Sequence, residues 1–448
     1  MIPIRPSRLC RDSASVLLFC FLACAAPPPR DVPDSDGKRP NLIVILADDI
    51  GIEALGCYGG ESYETPHVDQ LAREGVLFEN AFTQPLCTPT RLELLTGRSN
   101  ARNYLAFSVL DPKERTFANE LRDVGYRTLV VGKWQLYGAE HYGKGIRSTG
   151  SLPDQAGFDH HALWQVEVLG RRHWAPTMTI DGQTKVFEQD RYGPDIALES
   201  AKAWIAENGQ DPFLLFWPMI LPHGPFIAPP GPDGPRGTPG DVEMFGPMVE
   251  YLDSQVGDLV AFLRERHLER DTVLIFIGDN GSPRSVHSRR HGREVRGGKS
   301  KPTDTGSHVP FVIWAPGRLE GGRRLEDLVS TVDVFATLLE LADVELPTDR
   351  ELDGWSLWPR LEGDPKKHRD WVAFHHHPWP VNRPESEAKR WARDERWQLF
   401  GNGRLFEVGS DPLLEREVER EGASDAAVAA RRKLEGALEA LPRPRRGS

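Results

Sequence analysis

The chain has 448 residues, 39% of them hydrophobic and 27% charged, which is enough apolar material for a sizeable core and excludes global disorder. That length corresponds to two or three average domains, or to one large α/β domain with an appendage. Lys and Arg number 55 against 66 Asp and Glu, a net charge of −11, so a chain-wide basic footprint for nucleic acid is absent.

At the amino terminus, Arg5, Arg8 and Arg11 precede the apolar run Val16-Leu-Leu-Phe-Cys-Phe-Leu-Ala-Cys24 and the small residues Ala25 and Ala26. This is the pattern of a secretory signal, and it is too short to stay in a bilayer as a spanning helix. Phe21-Leu-Ala-Cys24 also resembles a bacterial lipoprotein processing site, although Phe21 and Leu22 are bulkier than that pattern prefers. A cleaved signal and a lipid anchor on Cys24 both remain open, and each implies export to the periplasm or the cell envelope. Residues 27–39 read as a Pro- and Asp-rich linker. The other two cysteines, Cys57 and Cys87, are too few for a disulfide scaffold.

Four apolar runs then share one pattern. Asn41–Ala47 leads into Asp48 and Asp49, Thr128–Val131 into Gly132 and Lys133, Phe213–Trp217 towards Pro222 and His223, and Thr272–Ile277 into Gly278, Asp279 and Asn280. With helical patterns between them, such as Thr116 to Val124, these read as buried strands of a mostly parallel sheet. Ligand sites in such sheets lie beyond the carboxyl ends of the strands, so four polar endings on one edge predict an active site there. Ala228 to Asp241, with Gly at every third position from Gly231, is too short for a collagen-like helix and reads as a surface loop. Beyond about Asp364 the character changes. Arg390 to Val408 carries a hairpin signal around Gly401-Asn-Gly403, and Ser424 to Leu441 reads as an amphipathic helix with Val428, Leu434, Leu438 and Leu441 on its buried side. Pro442 to Ser448 reads as a basic tail.

Cys87-Thr-Pro-Thr-Arg91, followed by Leu95-Thr-Gly-Arg98, resembles the signature of the formylglycine-dependent type I sulfatases of the alkaline phosphatase superfamily. The match extends in family order through Asp48-Asp-Ile-Gly51, Gly56-Cys-Tyr-Gly-Gly60, Gly132-Lys-Trp134, Pro222-His-Gly-Pro225, Asp279-Asn-Gly281, Gly297-Gly-Lys299 and Val309-Pro310. Arg396-Trp-Gln-Leu399, Leu405-Phe406 and Asp411-Pro412 resemble the closing motif. The resemblance implies a large mixed, mostly parallel sheet flanked by helices, spanning residues 40–364, and a smaller C-terminal subdomain with a short antiparallel sheet and a helix at 365–448.

It further implies hydrolysis of a sulfate ester, with Cys87 oxidised to formylglycine by a formylglycine-generating enzyme during maturation. The hydrated aldehyde would then be the nucleophile. Cys57 is expected in the core. Asp48, Asp49, Asp279 and Asn280 offer only oxygen ligands, which suits a hard cation, and the resemblance implies these four, with the nucleophile at Cys87, as a calcium site. Arg91 is implied to hold the nucleophile. Lys133, His223 and Lys299 are implied to bind the sulfate, with His223 or Lys299 as general acid.

One position departs from the family pattern, because Gln135 stands where Gly-Lys-Trp is usually followed by His. Glutamine can hold a hydrogen bond in the substrate site but takes no proton at neutral pH. His141, His287 or His291 could substitute, or breakdown of the sulfated hemiacetal is slower, or the variation is benign. Asp304-Thr-Gly306 and His308 also differ from the usual pattern. The basic stretch from Arg284 to Lys301 is either a polyanion-binding surface or a solvated loop with local pairing. Trp371, His375, His376, His377 and Trp379 are either sugar-stacking or metal-binding residues. The substrate expected of an exported enzyme of this kind is a sulfated saccharide. A phosphate- or phosphonate-ester hydrolase of the same superfamily and a non-catalytic glycan-binding lipoprotein are the alternatives.

Overall fold

The computed structural model describes Met1 and residues 38–231, 240–409 and 416–442. The signal with Cys10, Cys20 and Cys24, nearly all of the linker, most of the Gly-rich loop, the Asp411-Pro412 motif and the tail lie outside the described residues.

The strands in chain order are β1 (Asn41–Ala47), β2 (Val76–Phe82), β3 (Arg127–Lys133), β4 (His160–Trp164), β5 (Thr177–Ile180), β6 (Gln183–Val186), β7 (Phe213–Pro218) and β8 (Thr272–Gly278). They continue as β9 (His287–Arg290), β10 (Arg293–Arg296), β11 (Phe311–Trp314), β12 (Arg323–Ser330), β13 (Val372–His376), β14 (Lys389–Arg393), β15 (Trp397–Phe400) and β16 (Leu405–Glu407). Ten of them form one sheet, ordered β12-β2-β11-β8-β1-β7-β3-β4-β5-β6. The central run β8-β1-β7-β3-β4 is parallel throughout, with Ile43 opposite Leu215 on one side and Leu274 on the other. These are the four apolar runs read from the sequence, joined by β4.

Both faces of the sheet are covered, which is why these strands are apolar at every position instead of alternating. Leu42, Val44 and Leu46 belong to one core with Leu92, Phe117, Leu121, Phe335 and Leu338. Ile43, Ile45 and Ala47 belong to the other with Leu71, Trp204, Leu252 and Val256. The helix Phe117–Asp123 begins with a capping box, in which Thr116 and Asn119 satisfy each other's backbone N–H groups.

β11 runs antiparallel to both β8 and β2. It therefore starts at the edge where its neighbours end, so the segment that precedes it, containing Lys299 and His308, reaches the same edge.

The second sheet, β13-β14-β15-β16, is antiparallel and packs against the helix Asp425–Ala440. That helix buries Ala427, Ala430, Leu434 and Ala437, while Val428 is 49% exposed. Leu434 and Leu441 are buried and Leu438 packs on the same cluster, as expected, so of the four expected residues Val428 alone departs from the buried face. Alanines carry the contact because small side chains let the helix lie close to the sheet. Arg393 on β14 donates to Asp304, stacks on Phe82 at the end of β2 with its Cζ 3.9 Å from the ring centre, and so ties the small sheet to the large one. His308 joins the same group, with Nδ1 3.2 Å from Asp304 and Nε2 2.7 Å from the carbonyl of Glu79. Cys57, expected in the core, is only half-buried at the margin of the second cluster.

Candidate active site

Asp48 and Asp49 leave the end of β1 together. A regular strand would send consecutive side chains to opposite faces. Here Asp49 adopts a left-handed conformation (φ 72°), which Asp tolerates better than most residues and which breaks that alternation. At Gly132, in β3, an added Cβ would lie 2.1 Å from the carbonyl oxygen of Pro218, so only glycine permits β3 and β7 to approach this closely just before Lys133. Cys87 is the first residue of the helix Cys87–Thr96, whose N-terminal amides and dipole favour negative charge.

The resulting cluster is buried and crowded with charge. Lys133 Nζ donates to Asp48 Oδ2 at 2.6 Å. Lys299 Nζ spans both oxygens of Asp49, at 2.7 Å from Oδ2 and 2.5 Å from Oδ1. Asn280 Nδ2 donates to Asp49 Oδ1 at 2.8 Å, and the Asp49 amide donates to Asp279 Oδ1 at 2.9 Å. His223 Nε2 is 3.8 Å from Asp49 Oδ2. Cys87 Sγ lies 3.7 Å from Gln135 Oε1, and Arg91 donates to the carbonyl of Lys133. All ten residues singled out in the sequence therefore converge on one edge of the sheet.

The charges do not balance evenly. Burial alone would raise the pKa of Asp48, but Lys133, His223 and Lys299 outweigh it and hold that carboxyl well below its usual range. Asp279 goes the other way, pushed well up by burial and by the neighbouring Asp48 and Asp49. Burial lowers His223 to about 4 and raises the thiol of Cys87. Burial acts against the charge of Lys299, yet Asp49, Cys87 and Asp48 overcome it and keep the ammonium firmly protonated.

A cation fits this arrangement. One ligand atom from each of Asp48, Cys87 and Asp279 lies within 4.8 Å of the others, and the same holds for Asp48, Asp49 and His223. Asp48 Oδ1 and Asn280 Oδ1 are buried acceptors with no hydrogen-bond partner. Orphaned acceptors beside mutually repelling carboxylates are costly without a positive partner, and oxygen donors suit calcium. Arg91 Nε and Nη1 are likewise buried without partners, leaving donors free for oxygen atoms.

Arg172 belongs to the site, although no motif in the sequence marks it. Its Nη1 lies 2.8 Å from His223 Nδ1, and its guanidinium stacks on Trp164 at the end of β4, 4.0 Å from the ring centre. The available signal was the Arg171-Arg172-His173-Trp174 cluster just after a strand ending on the active edge.

None of the three histidines considered as substitutes for the residue at 135 has a described contact with Cys87. His141 is exposed and stacks on Tyr142, His287 pairs with Glu294 at 2.7 Å, and exposed His291 follows β9 at the hairpin turn. The basic stretch forms the β9–β10 hairpin, where Arg289 pairs with Glu61 and Arg290 and Arg296 bind backbone carbonyls. His375 to His377 form no metal-binding group among the described residues. They lie at the end of β13, where His375 and His377 line a cavity of about 700 Å³.

The sheet is alkaline-phosphatase-like in fold, as in the solved sulfatases it resembles, and charged residues gather at its carboxyl edge. Residues 40–344 match the family model described as Sulfatase, and residues 303–410 match that described as N-sulphoglucosamine sulphohydrolase, C-terminal. The chain belongs to the sulfatase family, whose members are sulfuric ester hydrolases. It is 30% identical to the steryl-sulfatase of Mus musculus, over 81% of this chain and 70% of that one. It is 29% identical to the N-acetylgalactosamine-6-sulfatase of Canis lupus familiaris, over 84% of this chain and 76% of that one. BT4656, solved in complex with its substrate D-glucosamine-2-N,6-O-disulfate, shares the fold with a TM-score of 0.72 at 19% identity, covering 90% of this chain and 97% of the other.

Proposed function

We propose that the protein is an exported sulfatase acting on sulfated carbohydrates, with Cys87 matured to formylglycine and calcium held by Asp48, Asp49, Asp279 and Asn280. The observation that carries this reading is the meeting of Cys87 with Asp48 and Asp279 within 4.8 Å, ringed by Lys133, Lys299 and His223. Formylglycine at position 87 would supply a gem-diol, an oxygen nucleophile with a second hydroxyl beside it. Calcium would supply Lewis-acid stabilisation of negative charge on sulfate and nucleophile oxygens.

The side chains divide the remaining work. Lys133 and Lys299 neutralise the sulfate in a buried setting, where charge stabilisation is worth far more than in water. The two unpartnered donors of Arg91 orient the oxygen at position 87. His223 or Lys299 is the group placed to pass a proton to the departing alcohol oxygen as the S–O bond breaks, and Lys299, kept protonated by its carboxylate neighbours, is the better donor, since burial lowers His223 to about 4. Gln135 holds a hydrogen bond at the nucleophile and takes no proton.

Two features support a saccharide. Phe107 joins Tyr142 (centroids 6.4 Å apart) to Trp379 (5.2 Å), and Trp379 is 42% exposed, which provides an aromatic wall suited to sugar faces. A guanidinium beside His223 also suits a polar or charged alcohol better than a sterol. Export rests on the amino-terminal segment, with membrane attachment confined to a lipid on Cys24. Matched aryl sulfate and aryl phosphate esters test the reaction. Release of sulfate well above phosphate is expected, and release of phosphate alone would point to the phosphoesterase alternative.

A further inference from the structure

We propose that Arg172 binds a second anionic group, a carboxylate or a second sulfate, on the alcohol half of the substrate. This rests on the sulfatase reading and narrows its substrate class to esters whose leaving group is itself negatively charged.

Arg172 is half-buried, and it has no carboxylate partner among the described residues. Its neighbours are the imidazole of His223 and the face of Trp164, and neither neutralises a guanidinium. Some other partly buried arginines find carboxylates, as Arg98 does with Glu114 at 2.7 Å and Arg350 with Glu120 at 2.7 Å, and others donate to backbone carbonyls, as Arg290 does to Tyr58 and Arg323 to Leu361. Trp164 is fully buried and fixes the plane of the guanidinium, so the ordering cost of a planar donor fork is already met.

Position decides what the fork can reach. His223 turns Nε2 towards Asp49 and Nδ1 towards Arg172. Arg172 therefore lies beyond the cationic cluster by the width of an imidazole ring. Exposure rises outward through the cluster, with side chains 2% exposed at Lys133, 18% at Lys299 and 25% at His223, and Arg172 beside His223 is likewise partly exposed. A sulfate seated among Lys133, Lys299 and His223 is satisfied there, and the rest of the substrate passes Arg172 on its way out.

Aryl sulfates test this whatever the natural sugar is. The enzyme with matured Cys87 is assayed on neutral nitrophenyl sulfate and on phenyl sulfates bearing a carboxylate or a sulfonate at each ring position, then compared with the variants Arg172→Gln and Arg172→Lys. The expected result is that kcat/KM for at least one doubly charged ester falls about tenfold further than for the neutral ester in Arg172→Gln, mostly through KM, with partial recovery in Arg172→Lys. Because the comparison is a ratio within each variant, a folding defect cancels. Equal losses on neutral and charged esters would assign Arg172 to the scissile sulfate or to His223 and overturn the proposal, as would no loss on either. Hydrolysis of none of the esters by the unaltered enzyme would instead count against the sulfatase reading itself.

Discussion

Lys133 Nζ donates to Asp48 Oδ2 at 2.6 Å, while Oδ1 of the same carboxylate is buried with no partner at all. The lysine satisfies half of a carboxylate that stands within 4.8 Å of ligand atoms of Cys87 and Asp279, and leaves the other half without a donor. Calcium should therefore raise the thermal stability of the protein, by about 2.7 kcal/mol at a hundredfold excess over the dissociation constant. Replacing Asp279 with Ala removes a ligand but also relieves the repulsion from Asp48 and Asp49 that raises the pKa of Asp279. Chelated Asp279→Ala should be at least as stable as the chelated parent, and should gain little when calcium is added. Thermal unfolding with and without a chelator measures both.

Lys299 bridges both oxygens of Asp49. Substituting it with Ala removes a sulfate-binding charge and leaves a buried carboxylate without that partner. A loss of roughly 10²- to 10³-fold in kcat is expected, the usual scale for one preorganised charge-stabilising group. Steady-state turnover of an aryl sulfate gives the answer, and a change confined to KM would mean that Lys299 only binds.

Gln135 contacts Cys87 at 3.7 Å, and His141, His287 and His291 have no described contact there. Gln135→His should accordingly raise turnover, by about tenfold or more if proton removal from the nucleophile limits the rate. Rates measured from pH 5 to 9 would also show a new ionisation. An unchanged rate would mean that another group already serves.

Glu93 lies under the site on the Cys87–Thr96 helix, accepting hydrogen bonds from Gln84, the Asn100 amide and Thr331. Burial raises its pKa from 4.5 to about 7 despite those donors. A folded-state pKa above the unfolded one gives stability that is complete below about pH 4.5 and lost as pH rises through 7. The loss is roughly 3 kcal/mol, from 1.36 kcal/mol per unit. Denaturant unfolding at pH 5 and pH 8 should show this loss in the parent and little of it in Glu93→Gln.

The sequence disclosed the site more fully than the sheet that carries it. β1, β3, β7 and β8 were legible because strands buried on both faces are apolar throughout and end abruptly in Asp, Lys or His. β2, β11 and β12 were not marked out in the same way, since β12 alternates polar residues and β11 has only four residues. Yet β11, running the other way, is what brings Lys299 to the common edge. Arg172 escaped notice because its importance comes from Trp164 and His223, distant partners that no local spacing reveals. On the last helix Leu434, Leu438 and Leu441 were legible, and Val428 was misplaced because the alanines that complete the buried face are weak in any hydrophobic pattern.

Hydrolysis by this site requires that Cys87 is no longer a cysteine in the active enzyme. The direct measurement is the mass of the peptide containing Cys87 from protein produced together with a formylglycine-generating enzyme, read alongside sulfate release by the same sample. The account predicts a peptide lighter by the difference between a thiol-bearing and an aldehyde-bearing residue, with activity proportional to its fraction. An unmodified thiol throughout an active preparation would contradict it.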